Sequence, residues 1–156
     1  MIYYIIVATL MLALPVLSIT VETAHFSTAI DSILIGKWFV FWSVGWRLLL
    51  AGVRQIAQPE YTAREILGLQ SAESWTVVRE LGFGNLALGI VGVLSLWLPS
   101  WQLAAALAGG LFYAFAGINH VLQKHRNRLE NVAMVSDLFV GLILLGCCVS
   151  AAVLTN

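Results

Sequence analysis

Apolar positions run almost unbroken through five stretches of the chain, roughly 2–20, 34–56, 76–98, 102–123 and 132–154, and polar positions collect between them. Crossing a hydrocarbon core of ~30 Å takes about 20 helical residues, a length each stretch meets or nearly meets. A backbone in lipid must satisfy its own hydrogen bonds. The pattern therefore predicts an all-α, polytopic bundle of five spans in a single transmembrane domain, 1–156. The first stretch, IYYIIVATLMLALPVLSIT, lacks the basic leader of a secretory signal and reads as a retained helix bent at Pro15.

The sizeable polar piece is AQPEYTAREILGLQSAES, residues 57–74. Pro59 suits a first helical position, Glu60 and Arg64 stand one turn apart, and Gly68 suits a C-terminal stop. This predicts a short interfacial helix, with Tyr61, Ile66 and Leu67 dipping inward and Ser71 or Ser74 capping the third span. Trp38, Trp42, Trp46, Trp97 and Trp101 read as interfacial anchors or lipid-facing bulk.

Small residues mark helix contacts. Gly82, Asn85, Gly89 and Gly92 share one face of the third span, and Ala106, Gly110, Ala114 and Gly117 share one face of the fourth. Lipid supplies no hydrophobic drive for helix association, so such faces predict close backbone approach. The hairpin between spans three and four is the expected user of at least one of them.

Composition agrees with the pattern: 60% hydrophobic and 10% charged residues lie outside the balance of a soluble domain. The formal net charge is zero. Even so, Arg54, Arg64, Arg79, Lys124, Arg126 and Arg128 all lie in or beside the second-to-third and fourth-to-fifth connections. The positive-inside rule makes that side cytoplasmic, with the amino terminus inside and Asn156 outside. Glu22 and Asp31 in the first loop, and the neutral turn at 99–101, then fall outside. Cys147 and Cys148 are adjacent within an apolar span; they form neither a redox pair nor a zinc knuckle and read as packing residues.

Ionisable residues inside the spans change the picture. Counting 1.5 Å per residue from the basic edge puts Arg47 about 10 Å deep, Glu80 and His120 about 6 Å, and Asp137 about 9 Å. Asn85 lies deeper, Asn119 stands beside His120, and Tyr113 shares a face with His120. Four spans thus place polar side chains in one layer, while the outer part carries little besides Lys37, which is near enough to the surface to snorkel. An arginine at that depth should face the bundle and be paired, with Asp137 or Glu80 as the available carboxylates. One histidine and two carboxylates at arbitrary spacing are a weak metal signal, and haem ligation is disfavoured because His25 falls on the opposite side and His125 lies in the basic loop. No nucleophile with a base at catalytic spacing, phosphate loop or nucleic-acid motif occurs.

From TAREILGL through RELGFGNLALGIVGVLSLWLP to FAGINH and NVAMVSDLF, the chain resembles a group of small uncharacterised bacterial membrane proteins. The matching positions are Glu80, Asn85, Gly117, His120 and Asp137. It departs from them in the charged stretch KHRNRLEN. More distantly, the arginine-bearing second span and the E-x-G hairpin are similar to the DoxX-like superfamily, some members of which are associated with quinone-linked oxidoreductases. The resemblance implies a compact helical bundle of the bacterial inner membrane and allows a respiratory connection.

These features lead to an expectation of a non-enzymatic accessory or membrane-complex subunit, in contact with the bilayer and with copies of itself or larger partners. Its polar pocket, built from Arg47, Glu80, Asn85, Tyr113, Asn119, His120 and Asp137, would take a lipid headgroup or quinone, with Gly82, Gly89, Gly92, Gly110 and Gly117 packing the helices. A proton-coupled transporter and a quinone-linked oxidoreductase subunit are the alternatives. An ion network that only fixes helix register is the plainest reading of the same residues.

Overall fold

The computed structural model describes residues 2–154; the expected placing of Asn156 falls outside them. Five long helices, numbered first to fifth in chain order, cover Ile2–Phe26, Ser32–Ala57, Ser74–Leu94, Pro99–Leu122 and Arg128–Leu154, and all are long and apolar enough to cross a membrane. The first runs past residue 20 to Phe26 and stops where Ser27 turns left-handed at φ 51°. That extension draws Glu22 out of the expected loop and into the helix. The second starts on Asp31, whose carboxylate accepts from the Leu34 amide at 2.8 Å.

Between the second and third helices, Pro59–Tyr61 is helical and Thr62–Ile66 is a π turn. Glu60 pairs with Arg64 across one turn. Gly68, at φ +67°, then reverses the chain as only glycine does without strain. The fourth helix opens with a 3₁₀ turn, Pro99–Trp101. The fifth opens with a reciprocal cap: the Asn127 side chain accepts from the Glu130 amide at 2.9 Å, and Glu130 accepts from the Asn127 amide at 2.7 Å.

The second helix is the hub. Its Phe39, Val40, Val44 and Leu48 are buried in one core with Val7 and Met11 of the first helix, Ala105 and Tyr113 of the fourth, and Val140 and Leu144 of the fifth. The third helix lies antiparallel against it. A methyl on Gly92 would stand 2.6 Å from the Gly45 backbone nitrogen, and one on Gly89 would stand 2.5 Å from that of Leu49. Gly82 meets Gln55 and Ile56 in the same seam. In the fourth helix, Gly110 and Gly117 instead admit Leu145 and Leu138 of the fifth. The glycine faces therefore join helices two to three and four to five, because the backbone returns closely there; the three-to-four turn uses neither as its main seam. Large apolar side chains such as Ile5, Leu12, Phe115, Leu142 and Val149 point outward, as a lipid-facing surface requires.

At the end away from the basic connections, Lys37 does not stand alone. Its Nζ donates to both carboxylate oxygens of Glu22 at 2.8 and 2.7 Å, and the Trp38 indole donates to Glu22 Oε2 at 2.7 Å. The Trp42 indole donates to Ser18 Oγ at 2.9 Å. Trp38 and Trp42 thus tie the first helix to the second, and Trp46, Trp97 and Trp101 are exposed.

Candidate functional site

Three helices are joined near mid-depth through carbonyls that their own helices have released. In the first helix, Thr9–Ala13 is π-helical, and the Leu14 amide bonds the Thr9 carbonyl in place of Leu10's. The next residue, Pro15, has no N–H to offer Leu10 in that register. The Leu10 carbonyl accepts instead from Ser43 Oγ of the second helix at 3.2 Å. There the device repeats: Val40–Trp46 is π-helical, and the Arg47 amide bonds the carbonyls of Trp42 and Val44, passing over Ser43. The Ser43 carbonyl accepts from the Tyr113 hydroxyl of the fourth helix. π turns inside α-helices are rare and recur at functional sites.

Arg47 leaves the second helix directly after this turn. Its guanidinium lies 5.7 Å from the centre of the Tyr3 ring, and it interacts electrostatically with Tyr113, Tyr3 and Asp137. Tyr113 is 2% exposed and Asp137 9%. Four helices thus contribute one cation, two phenols and one carboxylate. Among the described residues the ion pairs within 4.0 Å are Lys37–Glu22 and Arg64–Glu60, so Arg47 and Asp137 attract each other across a longer gap. Arg47 Nε is enclosed and has no hydrogen-bond partner among the described residues. An unmet buried donor costs about 1–3 kcal/mol, and more when it is charged. The arrangement can hold an acceptor oxygen; it sets no nucleophile beside a base.

The other sequence-predicted residues lie apart from this centre. Glu80 is exposed on the third helix, and Asn119 is exposed on the fourth. His120, 7% exposed, sits in the last turn of the fourth helix with Nδ1 3.4 Å from Gln123 Oε1. Asn85 donates to Gln55 Oε1 at 2.7 Å, and its own Oδ1 is buried without a partner. Among the described residues, no three His, Cys, Asp or Glu side chains come together as a metal site.

Sequence reasoning passed over Tyr3, Gln55 and the connection after the fourth helix. The Arg126 guanidinium donates to the carbonyls of His120, Val121 and Gln123 at 2.8, 3.0 and 2.6 Å, closing the end of that helix. Asn127 reaches the Glu65 carbonyl at 3.2 Å and ties the interfacial segment to the same corner. The N-x-x-E spacing of Asn127 and Glu130 was the available signal for the cap. For Tyr3, inside an apolar run, there was none.

A family model matches residues 1–154, and the chain belongs to that family, a family of unknown function (DUF6790). No curated protein and no solved structure matches it.

Proposed function

We propose that the protein is a small, non-enzymatic subunit of a bacterial inner-membrane complex, with its basic end in the cytoplasm, whose buried centre holds the acceptor oxygen of a quinone. The observation that carries this reading is Arg47: a guanidinium inside an apolar bundle, with its Nε enclosed and unmatched. Intramembrane ionisable residues mark functional sites by default. A quinone carbonyl and a lipid phosphate both offer an oxygen to such a donor. An uncharged carbonyl loses less hydration than an anionic phosphate on entering an enclosed apolar bundle, which favours the quinone. The distant similarity of the arginine-bearing helix to the DoxX-like superfamily supports a respiratory connection, and the glycine seams leave the outward faces free for partner subunits.

Native mass spectrometry on protein gently extracted from its own membranes tests both halves of the reading. Larger subunits in the peak, with an adduct of quinone mass released on activation, are the expected result. A lone chain carrying no quinone adduct contradicts it, and a phospholipid adduct that Arg47→Gln removes assigns the centre to a headgroup instead.

A further inference from the structure

A second site lies at the basic end, separate from Arg47. A groove of about 580 Å³ opens between the interfacial segment and the start of the third helix, its lining including Glu60, Tyr61, Arg64, Glu65, Trp75 and Arg79. We propose that this groove binds the phosphate headgroup of an anionic phospholipid.

Four observations converge on that occupant. The groove sits where the second helix ends at Ala57 and the third begins at Ser74, the level at which lipid headgroups meet the apolar spans. Trp75 Nε1 is buried there with no partner among the described residues. The cations are held by aromatic rings: Arg54 stacks 3.9 Å from the centre of Tyr61, and the Arg64 guanidinium stands 5.7 Å from that of Trp75. Arg64 is already paired with Glu60, whereas Arg79 is exposed and makes no ion pair among the described residues. Arg64 and Arg79 balance Glu60 and Glu65 in the lining, and Arg54, stacked on Tyr61 beside the groove, adds a third cation near an anion bound there. A diester phosphate suits that set: one oxygen to Arg79, one to the Trp75 N–H, and acyl chains running beside exposed Val77 and Leu81 of the third helix. This inference does not rest on the quinone reading.

The test is a titration of the purified, delipidated full-length protein with phosphatidylglycerol and with phosphatidylcholine, read by native mass spectrometry. Wild type should retain one phosphatidylglycerol in preference to phosphatidylcholine. Arg79→Gln should weaken that binding about fivefold, the effect of one interfacial cation. Trp75→Phe should weaken it by a smaller factor, and Lys124→Gln, at the same end but outside the groove, should leave it unchanged. Equal retention of the two lipids overturns the site, as does an equal loss in Lys124→Gln, which would mean diffuse charge attraction. Displacement of the lipid by millimolar inorganic phosphate assigns the groove to free phosphate and overturns the lipid. Arg79 has no partner to lose, so its variant should fold, and Trp75→Phe tests the groove independently.

Discussion

The Tyr113 hydroxyl donates to the Ser43 carbonyl, a group that the Arg47 amide has passed over. One side chain of the fourth helix thus completes a bond that the second helix leaves open, and it does so four residues before the buried guanidinium. Ser43 in turn completes the first helix at Leu10. Widening a helix in lipid exposes a carbonyl that has no water to turn to, so each π turn is stable only because a neighbour answers it.

Tyr113→Phe keeps the ring and removes the donor. The Ser43 carbonyl is then buried unsatisfied, at a cost of about 1–3 kcal/mol. Thermal unfolding in detergent should show a clearly lowered midpoint, and a midpoint equal to wild type would mean that the π turn needs no outside partner.

Ser43→Ala removes the donor to Leu10 and leaves the Ser43 carbonyl in place. The Leu10 carbonyl then loses its partner, at a cost of about 1–3 kcal/mol, toward the lower end because the lost bond is the longer one at 3.2 Å. In the same unfolding assay its effect should be no larger than that of Tyr113→Phe; a larger loss would point to the hydroxyl, not the carbonyl, as the main link.

The glycine seams give a sharper contrast. Gly89→Ala sets a methyl against the Leu49 backbone, while Gly84 has open space around its Cβ position. The first should destabilise by about 1–3 kcal/mol through overpacking. The second should be neutral or gain up to about 1 kcal/mol of helix propensity. Comparable effects at the two positions would mean that the second and third helices do not pack as closely as described.

Arg126→Ala leaves the last carbonyls of the fourth helix without their cap, a loss of about 0.5–2 kcal/mol by analogy with other helix caps. Hydrogen exchange should accelerate around residues 120–123 while the middle of that helix stays protected. Unchanged exchange would show that the end is held by the helix alone.

The five spans were legible in the sequence because apolar length is a property of the chain itself. Their ends shifted where local chemistry intervened, as with the first helix running on to Phe26 so that Glu22 could meet Lys37. The site was legible in part. Arg47, Tyr113 and Asp137 come together, since a charge in lipid has to face the bundle. Glu80 was placed in the same layer by depth alone, and depth does not fix the angle around a helix; it points outward. Pro15 announced a bend, and the structure resolves it as a π turn whose freed carbonyl reaches Ser43. The second π turn contains no proline, and nothing in VFWSVGW marks it. Tyr3 could not be found without knowing that the first helix lies antiparallel against the second.

The quinone proposed at Arg47 can be measured directly. Solvent extraction of the purified protein, with the quinone quantified per chain, should give near-stoichiometric quinone in wild type. Arg47→Gln should lose most of it, and Arg47→Lys should lose less because a cationic donor remains. Equal quinone content in wild type and Arg47→Gln, with both folded by the same unfolding assay, would contradict the account and leave Arg47 as a structural charge.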